Sequence, residues 1–404
     1  MLIDKYTYRD TILKDIFIIH ESDYCGELIW KIEYNWEKIW KIDDFSKMES
    51  CQQNPKYHKE GNVKEHTIKV CEEALKICDS EYYSSVYKDR WIVGEENLDK
   101  TFLLLTAALF HDIGKTVTTK LGKDGNWHSY NHEIEGEKIT RKLLWDTGCY
   151  FREEVCALVR YHMMPLGLFE RKNYMEEIAR ICSIVPSWNL LVYLKQCDLA
   201  GSIHENDAQK QTDYMKLNEI RTIGNAIDRY VLPHIGYRRH NFEYYNDSVN
   251  KKNINLIVMI GLPGSGKDTY IEKEFKNNHT VILCRDDIRT ELGYCNQDEK
   301  IVGTSEQEKE VTRIFNERML NAAKMGKDIV NNNINLKKEY RDNYTKMLSN
   351  YNLNITYYYI EATSLEKNIE RRNGQISKEV FYNMIEKFEW PIKQEYDHLF
   401  VARN

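Results

Sequence analysis

Little in this chain departs from the ordinary globular class. Six prolines in 404 residues and no low-complexity tract argue against disorder over most of its length, as do 42% hydrophobic and 30% charged residues. No apolar run reaches the roughly 18 residues needed to cross a bilayer, and the opening MLIDKYTYRD lacks the basic-then-apolar pattern of a secretory leader. A cytoplasmic protein without membrane contact is expected. Ten cysteines stand singly, with neither a CxxC pair nor the dense spacing of a disulfide scaffold, so reduced and mostly buried thiols are expected. Basic excess is also missing. A formal net charge of −6 argues against coating nucleic acid by bulk positive charge, but leaves room for a local basic groove around one strand end.

What is present divides the chain in two. Helical periodicity dominates residues 60–230, in stretches such as VKEHTIKVCEEALKIC and EEVCALVRYH, so the first domain reads as all α. The polar segment HIGYRRHNFEYYNDSVNKKN then reads as a linker. INLIVMI follows as a short buried strand, with further strand candidates at TVILC, KDIVNNN and NITYYYIEA and helical patterns between them, the alternation of an α/β domain with a parallel sheet. The boundaries expected are an N-terminal extension over 1–35, a first domain over 36–240, a linker over 241–253 and a second domain over 254–404. The extension, rich in Tyr, Trp and Ile, reads as helical and packed on the first domain. Oligomeric state is not legible.

The helices of the first domain carry histidine or carboxylate on their apolar faces. His66 lies on the stripe of Val63, Val70, Ala74 and Leu75, and His162 is in line with Val155, Leu158 and Val159. Asp198 follows Leu191 and Leu194, His132 shares a face with Gly136, Ile139 and Leu143, and His111-Asp112 end the apolar run TFLLLTAALF. One inward histidine is ordinarily a satisfied core residue. Four of them beside two buried aspartates call for cations, because an unpartnered buried carboxylate costs several kcal/mol or stays protonated. Imidazole and carboxylate suit Mn, Ni, Co, Fe or Zn, and this set is enough for two divalent transition metals that activate water for attack on phosphorus.

The order His66, His111-Asp112, Asp198 resembles the signature of the HD phosphohydrolase superfamily over about residues 36–230, and His132 and His162 resemble the added ligands of its two-metal members. NPKYHKEGNVKEHT is similar to the opening of HD domains in tRNA-end-processing and RNA-repair enzymes. The resemblance implies Asp112 at the catalytic centre. For Lys115 two readings stand: a lysine at a helix end that Gly114 terminates in a left-handed conformation, or an ammonium that reaches the substrate phosphate, as in similar HDxGK sites. His58 and His128 are read as structural or solvent-exposed.

The second domain opens with INLIVMIGLPGSGKDTY, a glycine-rich loop between strand and helix. Gly261, Gly264, Ser265 and Gly266 form the loop whose backbone N–H groups can surround phosphate oxygens, and Lys267 supplies a point charge. ATP or another NTP with Mg²⁺ is expected. Asp268 stands where GxxxxGK[ST] has its hydroxyl, which comes one residue late at Thr269, so the departure bears on metal geometry. CRDDIRTEL resembles the RDDxR signature of phage-type 5′-hydroxyl polynucleotide kinases, which implies Asp286 as general base and Arg289 as a clamp on the acceptor phosphate, while Asp287 is read as structural. ERRNGQ is similar to that family's lid, which implies Arg372, with Arg371 second, over the ATP phosphates. Where the family carries an aspartate before a Thr-Asn pair, this chain has Asn332 and Asn333, which bears on acceptor positioning.

An HD domain followed by such a kinase resembles the HD-Pnk type of end-healing enzyme. The resemblance implies removal of a 2′,3′-cyclic phosphate or 3′-phosphate by one domain, phosphorylation of a 5′-hydroxyl by the other, RNA ends as partner with DNA ends left open, and a separate ligase downstream. Two alternatives stand. One is a hydrolase of free nucleotides fused to a small-molecule nucleoside or nucleotide kinase; the other is a nucleotide-sensing regulator with a P-loop switch.

Overall fold

The structure is a computed structural model that describes residues 10–24, 26–81, 92–93, 95–205, 207–231, 253–275, 279–294 and 304–404. Two units divide the chain, Met1–Ile235 and Gly236–Asn404. All but Asn253 of the expected linker lies outside the described residues.

Most of the described part of the N-terminal extension is a hairpin that follows one short helical turn (Leu13–Ile16), not the helical segment its sequence suggests. β1 (Phe17–Tyr24) and β2 (Glu27–Tyr34) pair antiparallel with Phe17 opposite Tyr34, and β3 (Ile92–Val93) adds to β2. The physical reason is in the composition: Tyr, Trp and Ile suit a pleated, half-buried surface, and Gly26 takes a φ of 85° in the turn while its N–H donates to Asp23 Oδ1. The hairpin packs on the helices through Tyr34, whose Oη donates to the Leu105 carbonyl at 2.7 Å, and through Phe17 set edge-on to Phe102 at 5.5 Å.

Helices make the rest of this unit. α1 (Val63–Glu81) buries Val63, His66, Val70, Ala74 and Cys78 on one face, the spacing of a 3.6-residue repeat. α2 (Glu95–Phe110) leads into a stretch buried at every position from 101 to 115, and such a helix has to sit at the centre of its domain. After it come α3 (Lys115–Thr118), a ribbon of β4 (Lys120–Leu121) and β5 (Trp127–His128), then α4 (His132–Leu143), α5 (Cys149–Tyr161), α6 (Trp188–Gly201) and α7 (Asp207–Ala226). α2 touches α1, α5 and α6. The small ribbons apart, this is the helical domain expected. None of the eight described cysteines is in a disulfide and seven are buried, which fits reduced thiols. Among the described residues no helix is long and apolar enough to cross a membrane.

The second unit is a five-stranded parallel sheet in the order β10-β9-β6-β8-β7, with β6 (Asn253–Ile260), β7 (Thr280–Leu283), β8 (Asp328–Asn331), β9 (Asn352–Glu361) and β10 (His398–Arg403). Residues 256–260 of β6 are buried without a break, as expected of a central strand covered on both faces. The helices are α8 (Lys267–Glu274), α9 (Arg285–Glu291), α10 (Ser305–Lys324), α11 (Lys338–Met347), α12 (Leu365–Glu370) and α13 (Lys378–Glu386). The glycine loop follows β6, CRDDIR follows β7 and the asparagine run follows β8. All three therefore leave the carboxyl edge of the sheet, where such folds bind ligands.

Candidate active sites

In the helical unit His66, His111, Asp112, His132, His162 and Asp198 are all buried, and their ligand atoms converge. His111 donates Nδ1–H to the Ala108 carbonyl at 2.8 Å, His132 to Ser129 at 2.9 Å and His162 to Val159 at 2.7 Å. A carbonyl can only accept, so each ring keeps its proton on Nδ1 and presents a bare lone pair at Nε2. Those lone pairs face each other. His132 and His162 stand Nε2 to Nε2 at 3.3 Å, and so do His66 and His111. Two acceptors at that separation repel unless a proton or a cation lies between them.

Asp112 reaches both pairs. Its Oδ2 is 3.3 Å from His111 Nε2 and 3.6 Å from His66 Nε2, while Oδ1 is 3.3 Å from His132 Nε2 and 3.8 Å from His162 Nε2. Asp198 Oδ1 lies 3.1 Å from His66 Nε2. Lys115 Nζ comes within 2.6 Å of Asp112 Oδ2 off the line of a hydrogen bond, and this buried oxygen has no hydrogen-bond donor. Imidazole nitrogens set in pairs around one buried carboxylate are what a metal would satisfy. Among the described residues three groups are close enough to hold an ion, and two of them share Asp112: His66, His111 and Asp112, and Asp112, His132 and His162; the third is His58, Glu60 and His66.

Electrostatics agree with that use. Burial would raise Asp112 and Asp198, but Lys115 and His111 hold Asp112 well below the usual carboxylate range, and Lys195 and His66 do the same for Asp198. Burial, with the neighbouring imidazoles of His132 and His111, pushes His162 well down, leaving it neutral and able to ligate. For His66 burial is outweighed by Asp198 and Glu60, which raise it.

Two glycines set these distances. A Cβ on Gly114 would lie 2.0 Å from the His132 carbonyl oxygen and 2.4 Å from Gly136 N, and one on Gly201 would lie 2.8 Å from Val70 Cγ2. Gly114 has φ −67°, so the left-handed helix end is corrected: glycine is needed there because α4 comes too close for any side chain, and this brings His132 beside His111-Asp112. Lys115 is not a solvent-facing cap either. It is buried between Asp112 and Gln53, whose Oε1 accepts from Nζ at 2.8 Å.

In the second unit the loop takes backbone conformations that favour glycine. Gly261, Gly264 and Gly266 have φ of 156°, 74° and 99°, and a Cβ at Gly261 would meet the Ile360 carbonyl at 2.3 Å. Lys267 Nζ donates to the Gly261 and Leu262 carbonyls at 2.9 and 3.0 Å, spanning the loop. Burial, with Arg372 close by, lowers it to about 8. Ser265 is buried with Oγ unpartnered, Thr269 is exposed, and Asp268 Oδ1 accepts from Asn332 Nδ2. Arg371 Nη1 donates to the Gly264 carbonyl at 3.1 Å, and Arg372 Nε has no partner. A cleft of about 1900 Å³ is lined by Lys267, Asp268, Asp286, Arg289, Asn332 and Arg372. Within it Arg289 Nη1 donates to Asp286 Oδ1 at 2.6 Å, while its Nε and Nη2 make a fork onto Glu308 at 2.8 and 2.7 Å.

Comparison with known proteins agrees with both halves. Residues 63–185 match the family model described as HD domain, and residues 256–391 match the one described as AAA domain. The chain joins an HD domain to a P-loop kinase-like domain. It is also similar to a protein of Autographa californica nuclear polyhedrosis virus provisionally named bifunctional polynucleotide kinase/RNA ligase, with 33% identity over 129 residues. That match takes in 29% of this chain and only 18% of the viral protein. Asp198 lies beyond the span matched to the HD domain.

Some residues of these sites escape a reading of the sequence. In the HD domain Glu60, its side chain fully enclosed, stands 2.9 Å from His66 Nδ1 and 2.8 Å from His58 Nδ1. His58 is thus not solvent-exposed; burial lowers it to about 4, and it holds Glu60 in place. His128 keeps an exposed pairing with Asp124. Lys195 is buried with Nζ 2.6 Å from Asp198 Oδ2; its i,i+3 spacing to Asp198 is the signal that could have found it. In the P-loop domain Glu308, distant in sequence from Arg289, was not legible.

Proposed function

We propose that the chain heals broken nucleic-acid ends, with RNA as the substrate class. In the P-loop domain an NTP would lie on the loop, with Lys267 turning from the Gly261 and Leu262 carbonyls to its phosphates and Arg372 and Arg371 over them. Asp286, its side chain 58% exposed, takes the proton of a 5′-hydroxyl as the new O–P bond forms to the γ-phosphate and the diphosphate leaves with the electron pair of the broken bond. Arg289, gripped by Glu308, orients Asp286 and keeps its outward N–H groups for the acceptor phosphate. The observation that carries this reading is the size of the cleft: about 1900 Å³ holds Lys267 and Asp286 together, whereas sites for single small ligands run to roughly 300–1,000 Å³. That volume leaves room for an acceptor beside the NTP, with Asp286 exposed towards solvent.

In the HD domain His66, His111, Asp112 and Asp198 would hold one divalent metal, and Asp112, His132 and His162 a second. Bound there, such ions polarise phosphate oxygens and activate water. The chain's own contribution is to hold His111, His132 and His162 by their Nδ1–H groups so that Nε2 faces the site, to back His66 with Glu60, and to keep Asp112 and Asp198 ionised through Lys115 and Lys195. Lys115 also supplies a cation for the substrate phosphate. Hydrolysis adds water across one P–O bond of a 2′,3′-cyclic phosphate, and across a second to release the remaining 3′-phosphate. The healed ends would pass to a separate ligase, with DNA ends a further possible substrate and Mg²⁺ the metal of the NTP.

Separable variants test this. Asp112→Ala should abolish removal of the 3′ phosphate and leave 5′ phosphorylation intact, and Lys267→Ala should do the reverse. Loss of both activities from either change would refute two independent sites, and transfer to mononucleotides in preference to oligonucleotides would favour the small-molecule kinase.

A further inference from the structure

One loop of the HD domain carries side chains that the metal centre does not use. Residues 52–62 leave and return to the same place, with Gln52 bridged to Asn62 and Gln53 Nε2 donating to the Asn62 carbonyl at 3.1 Å. Both arms of the loop reach the centre. Gln53 Oε1 accepts from Lys115 Nζ at 2.8 Å, and Glu60 stands 2.9 Å from His66 Nδ1. The loop therefore borders the site, and between its two anchors Lys56, Tyr57 and Lys59 are exposed. A second loop, just after the helix that carries Asp198, is laced to it: Lys59 N–H donates to the Ile203 carbonyl at 2.9 Å, Glu205 N–H to the Lys56 carbonyl at 3.0 Å and Ile203 N–H to Glu60 Oε2 at 2.8 Å. The Tyr57 ring, 43% exposed, is set edge-on to His204 at 5.9 Å, and Lys56 Nζ lies 5.3 Å from its centroid.

We propose that these two loops form a platform for the RNA strand whose 3′ end enters the metal centre, with Tyr57 stacking on a base upstream of the terminal nucleotide and Lys56 and Lys59 meeting the flanking phosphates. A terminal phosphate belongs to one strand, so the RNA leaves the site in one direction and needs support there. Every base offers a π-face to an aromatic ring, and lysines beside the ring follow the backbone, so such a platform accepts a single strand of any sequence. The exposed charges of the two loops are Lys56, Lys59 and Glu205, a local basic excess in a chain of net charge −6. The backbone ties between the loops hold Tyr57 in place before RNA arrives, which lowers the ordering cost of binding. This inference rests on the reading that the HD domain acts on RNA ends, and names the part of the domain that grips the strand.

The test is the affinity of the full chain for a short single-stranded RNA with a 3′-phosphate and a 5′ fluorophore, read by anisotropy over a range of salt and without ATP. Tyr57→Leu should weaken binding about 5- to 150-fold, the range for losing one base–aromatic stack, and leave the salt dependence unchanged. Tyr57→Trp should keep the native affinity. Lys56→Gln should flatten the plot of log affinity against log salt by about 0.7, the change expected for one phosphate contact to a single strand. Native affinity in Tyr57→Leu, equal loss in Tyr57→Trp at an unchanged melting temperature, or an unchanged slope in Lys56→Gln would overturn the platform. So would a native protein without affinity for RNA, which would leave this face to a protein partner. Binding is read here without turnover, so absence of 3′-end hydrolysis with this binding pattern intact would instead refute the phosphohydrolase reading and leave the platform standing.

Discussion

Gly114→Ala is the most informative single change in the HD domain, because what it adds is one methyl group and what that group meets is backbone. The new Cβ would lie 2.0 Å from the His132 carbonyl oxygen, 2.4 Å from Gly136 N and 2.9 Å from the His132 carbonyl carbon. None of these atoms can rotate aside, so α4 has to move away by more than an ångström to restore ordinary contact. Overpacking of this kind costs about 2–3 kcal/mol. In a unit of this size that corresponds to a fall in Tm of about 5–10 °C. The displacement falls on His132, whose Nε2 lies 3.3 Å from both Asp112 Oδ1 and His162 Nε2. Metal retention should therefore drop along with Tm, while ATP binding by the P-loop domain is unchanged and serves as the internal control. Thermal melts with elemental analysis after dialysis read both. A variant that melts within about 1 °C of the native protein and keeps its full metal content would refute the argument that Gly114 is there to admit α4.

Glu60→Gln should weaken metal binding about 10–100-fold, the usual effect of removing the carboxylate behind a ligating imidazole, and competition with a chromogenic chelator measures it. Burial and the nearby Asp99 raise Glu154 to about 7. The folded state thus holds a proton that the unfolded chain releases near 4.5, and stability falls as pH rises through that window, by up to about 3 kcal/mol. Glu154→Gln should accordingly raise Tm at pH 8 by more than at pH 5; an equal gain at both would exclude the titration. Lys267, lowered to about 8 by burial and Arg372, is charged at pH 7 and increasingly neutral above 8. ATP affinity should weaken between pH 7 and 9, and a flat profile would show that its charge does not bind the phosphates.

Much of this was legible because it is local. His66 sits on a helical stripe, INLIVMI reads as a buried strand and GLPGSGK as a loop, each from spacing within one element. What escaped depends on approach between elements. Gly114 looks like a helix terminator until α4 is known to lie against it, and Glu60 sits in a loop without periodicity, so nothing in its neighbourhood marks it as the partner of His66. The fork from Arg289 to Glu308 is likewise a contact between α9 and α10. The N-terminal hairpin escapes for another reason: its Tyr, Trp and Ile favour strands, but little besides the turn at Gly26 marks where two strands would pair.

The central claim is that one chain prepares both ends of a break. An RNA oligonucleotide carrying a 5′-hydroxyl and a 2′,3′-cyclic phosphate, incubated with the purified protein, ATP, Mg²⁺ and Mn²⁺ or Ni²⁺ and followed by mass spectrometry, tests it directly. The account predicts a single final product with a 5′-phosphate and a 3′-terminal diol, and an RNA left unchanged at both ends would contradict it.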